Sequence, residues 1–224
     1  MPKIILDTFT YDDIVRVIEE DHDFLMHKLR ELAQKYRKAV IRQKPIGKKA
    51  YGPTIIKSNR GLTYRIVLTY MDSHSYKAHG FYHTIHAYYL KPEGLYLVAC
   101  QRIADGGDAH ELSHHAFYTP HFFDRFRERQ NYPAEMSKLD LMNEFLTINH
   151  QNIVGQQNND KYPNGIFVVY DNGVGLGTDL GNGVFEIKTY ISFEMLRGEQ
   201  IDKKNLQLDF LNEYKELVYG THDN

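Results

Sequence analysis

Near the start of the chain, apolar residues recur at helical spacing. Ile14, Val17, Ile18, Leu25, Leu29, Leu32 and Tyr36 predict one helix that runs to about residue 40. Thr10 suits its N-cap, with Asp13 three residues on, and Asp12 and Asp13 favour the positive helix end. Pro45, Gly47, Gly52 and Pro53 then break the chain into a connector. From 54 to 118 the pattern changes to strands. Residues 54–57 and 62–70 flank a Ser58-Asn59-Arg60-Gly61 turn, and 81–90 and 95–102 flank Lys91-Pro92-Glu93-Gly94. Residues 110–118 read equally as strand or helix.

Thr119-Pro120 is a helix start that opens 121–130, and Ser137 with Asp140 opens a second helix through Leu139, Met142, Phe145, Leu146 and Asn149. Residues 155–165 are a polar loop. Residues 166–170 and 184–191 form a last hairpin around a glycine-rich turn with Gly173, Gly175 and Gly177. Ser192 caps a short turn, and Leu206, Phe210, Leu211, Tyr214, Leu217 and Val218 mark a final helix. The whole reads as α+β: an N-terminal helix, an antiparallel β-sheet, helices followed by a hairpin, and a C-terminal helix. No repeat or linker interrupts it. It is expected to be one continuous domain over 1–224, with regions 1–53, 54–109, 110–192 and 193–224.

Composition narrows the function. The 224 residues are 42% hydrophobic and 25% charged, with no apolar run near the roughly 20 residues of a membrane span. The start, MPKIILDTFTYDD, turns acidic too early for a signal peptide, so a cytoplasmic protein is expected. The one cysteine, Cys100, excludes an internal disulfide and a multi-cysteine zinc site. The net charge of -2 conceals an uneven distribution. Residues 24–65 carry twelve Lys/Arg against one acid, Glu31, whereas 66–224 carry thirteen against twenty-one. A basic segment of this kind attracts polyanions, or is a solvated helix face and loop.

Two clusters carry candidate chemistry. His110-Glu111-Leu112-Ser113-His114 matches HExxH, which on a helix sets two histidines on one face for zinc and a glutamate to activate the metal-bound water. Gly106-Gly107 and Asp108 upstream fit that helix poorly, and the third ligand would have to come from His115, His121, Glu128 or Glu144. The second cluster is the helix from Pro120 to Arg129. His121, Arg125 and Arg129 lie within about 80° of one another along it, opposite Phe122, Phe123 and Phe126. An imidazole moves protons near neutral pH and guanidiniums stabilise charge on phosphorus, so the ridge suits a phosphodiester. The competing reading is a surface helix laced by Arg125–Glu128 and Asp124–Arg127 pairs.

His121, Arg125, Glu128 and Arg129 fit the pattern HxxxRxxER, which resembles a family of small bacterial domains related to RelE-type toxins. Those domains follow this helix with a second helix and a hairpin whose last strand carries a threonine before an aromatic. Here the order is 138–150, 166–170 and Glu186-Ile187-Lys188-Thr189-Tyr190. The similarity covers residues 110–192 and leaves the first hundred residues without a counterpart. It implies the barnase–EndoU–RelE fold and a metal-independent ribonuclease or nucleic-acid-binding module with no cofactor. It also implies His121 as acid/base, Arg125 and Arg129 as phosphate ligands, and Thr189 as a positioning hydroxyl. RNA or another polyanion is the expected partner, through this ridge and segment 24–65. By plain strand alternation Thr189 shares a face with Phe185, Ile187 and Ile191, which also suits a core threonine. Two alternatives stay open: a zinc-dependent hydrolase or peptidase at His110, Glu111 and His114, and a catalytically silent protein-interaction domain. His83 and His86 fall on opposite strand faces, and Tyr64, Tyr70, Phe81, Tyr82, Tyr88, Tyr89 and Tyr96 serve either as stacking surfaces or as core.

Overall fold

The computed structural model describes residues 7–43, 45, 47–102, 113–149, 153–156, 163–198, 200–206 and 208–209. The architecture is α+β, and its residues cluster into two compact units, 1–115 and 116–224. No helix among the described residues is long and apolar enough to cross a membrane.

The first unit opens with α1 (Tyr11–Glu20) and α2 (His22–Gln43). Thr10 caps α1 in a reciprocal box with Asp13, as the sequence predicts. The single long helix expected from the spacing is, however, interrupted at Asp21. Its carboxylate is only 1% exposed, accepting from Arg60 Nη1 at 2.8 Å and Tyr64 Oη at 2.9 Å. Arg60 Nε also reaches Glu20 at 3.2 Å. The interruption therefore anchors the helix pair to the sheet through a buried, partnered charge. The strands β1 (Lys49–Lys57), β2 (Thr63–Tyr70), β3 (Tyr82–Lys91) and β4 (Gly94–Arg102) pair antiparallel in sequence order. Between β2 and β3 lies α3 (Ser73–His79), a helix that the strand pattern did not predict; Asp72 caps it. On one sheet face Tyr64, Ile66, Leu68 and Tyr70 are buried, as are Ile14, Val17, Ile18, Leu25, Leu29 and Val40 of the helices.

The division between the units falls within β5 (Ser113–Tyr118). In the second unit α4 (Pro120–Arg129) and α5 (Lys138–Ile148) start where the caps predict, with Thr119 and Ser137 accepting from the backbone of Phe122 and Asp140. β6 (Ile153–Gln156), β7 (Gly165–Val169), β8 (Gly173–Gly181) and β9 (Val184–Ser192) follow, in the spatial order β5-β9-β8-β7-β6. The glycine-rich stretch is thus a central strand, not the hairpin turn expected. Gly173 and Gly175 occupy one face and Val174 and Leu176 the other. A Cβ on Gly175 would lie 2.8 Å from Tyr170 Oη and 2.9 Å from Ile187 Cγ2, and one on Gly173 would overlap the Tyr190 ring. Glycine is required there because tyrosines lie across the strand.

Helices α4 and α5 cover that face. Phe122, Phe123, Phe126 and Phe145 are fully buried with Tyr118, Tyr170 and Tyr190. Phe126 meets Tyr190 edge-on at 5.1 Å, and Phe122 meets Phe145 at 5.2 Å. The opposite face packs Phe167, Val169 and Val174 with Leu196, Ile191 and Phe193. The short helical turn Phe193–Met195 follows Ser192, whose side chain makes no capping bond. Residues 200–206 and 208–209 are helical; most of the predicted last helix, from 210 onward, lies outside the described residues.

Candidate nucleic-acid interface

The ridge on α4 forms as its spacing predicts. Pro120 starts the helix, the phenylalanines turn inward, and His121 is exposed while Arg125 and Arg129 are half-buried. Arg125 Nη1 bonds Glu128 Oε2 at 2.6 Å, so one guanidinium is already engaged by the carboxylate three residues on. The other pair expected of a laced surface helix does not form. Asp124 pairs with Lys138, and Arg127 donates to the Met136 carbonyl at 2.7 Å. Arg129 lies close enough to Arg125 to be affected by it. Burial and then that like charge lower its pKa, and Glu128 opposes the shift. Arg129 Nη1 is sealed from solvent, with no acceptor among the described residues.

Thr189 stands elsewhere. The β8–β9 register pairs Leu176 with Thr189 but Gly177 with Ile187, so Lys188 is an extra residue in a β-bulge. The bulge reverses the alternation expected from the sequence. Ile187 and Tyr190, three apart, both point to the α4 face, while Thr189 shares the opposite face with Leu176 and Ile191. Thr189 and the ridge are therefore on opposite sides of the sheet. The group that does approach the C-terminal end of α4 is Tyr190, the aromatic that follows Thr189. Its hydroxyl donates to the Asn172 carbonyl at 2.5 Å and accepts from Gln130 Nε2 at 2.9 Å. Burial raises its pKa, partly offset by the Gln130 bond.

Of the HExxH residues, His110 and Glu111 lie outside the described residues. His114 lies in β5, so 113–118 are strand and His114 is not on the helix that the zinc geometry needs. No group of three or more potential metal ligands occurs among the described residues. His83 and His86 do fall on opposite faces, opposite Leu68 and Arg65 respectively. Among the aromatic candidates Tyr64, Tyr70, Tyr88, Tyr89 and Tyr96 are buried, Phe81 is half-buried, and Tyr82 is exposed.

The basic segment 24–65 divides in two. Arg60 is committed to Asp21 and Glu20, and Arg65 is buried. Arg30, Lys35, Arg37, Lys38 and Arg42 are exposed along α2, and Lys48 and Lys49 are exposed beyond it. At 100° per residue the five on α2 span about 160° of its circumference. The one acid of the segment, Glu31, accepts from Lys28 at 2.7 Å and lies 3.0 Å from His27. Its pKa is lowered by the Lys28 bond above all. In comparisons with known proteins, no family model matches the chain, and no curated protein or solved structure matches it either.

Proposed function

We propose that this protein binds nucleic acid through phosphate contacts and that the exposed face of α2 is the primary contact surface. One observation carries the reading. Five arginines and lysines stand exposed along a single helix, and the one acid of segment 24–65, Glu31, is already held by Lys28. A row of cations rising 1.5 Å per residue along a rigid rod suits a phosphate backbone, whose contacts carry affinity without sequence selectivity.

A catalytic role for the α4 ridge has less support. Metal-independent cleavage needs an acid/base, a charge stabiliser and a positioning group around one phosphorus atom. Thr189 lies across the sheet, and Arg125 is partly neutralised by Glu128. His121 and Arg129 remain as a weaker phosphate contact. Titrating a single-stranded RNA at increasing salt tests the reading. Exchanging Lys35, Arg37, Lys38 and Arg42 together for Gln should lower the log–log salt slope by about 3 units, at about 0.7 per single-strand phosphate. Melting should be unchanged. A slope that survives the exchange would move the interface off α2, and detectable cleavage abolished by His121→Ala would restore the ribonuclease reading.

A further inference from the structure

The sheet face of the first unit opposite Tyr64 has a polar row. Directly paired residues share a face, and the register sets Ile55, Arg65, His86 and Ala99 abreast across β1 to β4. Arg65 is 5% exposed and His86 8%. Tyr88, two residues along β3, is on the same face and acts electrostatically on the guanidinium. Arg65 Nε and His86 Nδ1 are both sealed from solvent, and among the described residues neither atom has a hydrogen-bond partner. Among the described residues no carboxylate acts on Arg65. Its proton affinity is lowered by burial, which the Tyr88 hydroxyl opposes.

Arginine stays charged even so. A buried cation with no counter-charge is costly, and the same unit contains the contrasting case, Asp21 held by Arg60 and Tyr64. We propose that Arg65 and His86, flanked by Tyr88, form a binding site for a small oxyanion: the phosphate or carboxylate group of a small ligand. The guanidinium presents parallel N–H donors that match two oxygens of either group. His86 is neutral, because burial pushes its pKa down to about 3, helped by the Arg65 charge. Its imidazole therefore adds one donor without a second cation. The row is separate from the exposed face of α2. It also lies beside fully buried Leu97, so it suits a small anion and not a nucleic-acid backbone.

Thermal melts and titration calorimetry of the full chain with sodium phosphate, sodium citrate and sodium chloride at matched ionic strength test the site. Phosphate or citrate should raise the melting temperature in proportion to the logarithm of its concentration, and chloride should not. A response to phosphate alone assigns a phosphoryl group, and one to citrate alone a carboxylate. Arg65→Met should abolish the response and, without anion, melt at or above the wild type, because an apolar chain replaces an uncompensated charge. His86→Gln should weaken the anion at least tenfold. Arg65→Lys, which keeps the charge and loses the fork, should do likewise and serves if Arg65→Met does not fold. Equal melting in all three salts overturns the proposal. So does an anion response or affinity left unchanged by these substitutions.

Discussion

The two units are built alike, from an antiparallel sheet and helices, and stabilised differently. In the second unit the α4 side of the sheet is a cluster of rings joined by hydroxyl and amide bonds such as Tyr190 to Asn172 and Gln130, and the charged Arg127 and Arg129 of α4 stay partly exposed. The first unit brings formal charge inside. Asp21 is fully partnered, and Arg65 has no acid acting on it among the described residues. Ring packing depends on volume and edge-to-face geometry, which salt and pH barely alter. Buried charge depends on partners, so the first unit should respond to pH and the second to volume.

The largest expected effect is in the second unit. Phe122→Ala should cost about 3–5 kcal/mol in urea unfolding, because Phe122 is fully buried against Tyr118, Phe145 and Tyr190. A loss below about 1 kcal/mol would break the contrast. Asp21→Asn in the first unit should cost about 2 kcal/mol, since it leaves the half-exposed Arg60 without its buried counter-ion. A double-mutant cycle with Arg60→Met should show coupling of at least about 0.5 kcal/mol; additive losses would show the pair to be incidental.

The pH dependence sharpens the contrast further. His86 has a folded pKa near 3, below its ordinary 6.5. The unfolded chain therefore takes up the proton first, and the stability His86 contributes is complete above about pH 6.5 and lost as pH falls toward 3. Melts of wild type and His86→Gln between pH 7 and 4 should converge at the acid end, and parallel curves would contradict this. The smallest effect concerns the ridge. Arg125→Ala should change stability by no more than about 0.5 kcal/mol, since its partner Glu128 is exposed. A larger loss would make the ridge part of the core.

The sequence made local rules legible and left non-local ones hidden. Thr119-Pro120 and Ser137 with Asp140 marked the starts of α4 and α5 because capping is decided within four residues. The helical spacing up to residue 40 is real, but it does not reveal that the Asp21 carboxylate between α1 and α2 is held by Arg60 and Tyr64, some forty positions away. Gly173, Gly175 and Gly177 looked like a turn because glycine favours turns. Only the positions of Tyr170 and Tyr190 reveal that glycine is making room within a strand. Plain alternation groups Thr189 with Ile187 as well as with Ile191 for a similar reason: one extra residue, Lys188, shifts the period-2 pattern so that only Ile191 shares its face, and nothing in the composition of β9 announces it. The candidate ridge itself was legible as geometry, since it lies on one helix, but its isolation from Thr189 was not.

The crossing of tyrosines over β8 has a consequence for how the chain can evolve. Gly173 and Tyr190 fill one space between them, as do Gly175 and Tyr170. A smaller residue in place of either tyrosine would not make room for a side chain, because the Ile191 carbonyl lies 2.6 Å from a Cβ at 173 and Ile187 Cγ2 2.9 Å from one at 175. Descendants of this sequence should therefore keep glycine at 173 and 175 whatever stands at 190 and 170. Neighbouring Val174 and Leu176, facing the other side, should drift among aliphatic residues independently of them.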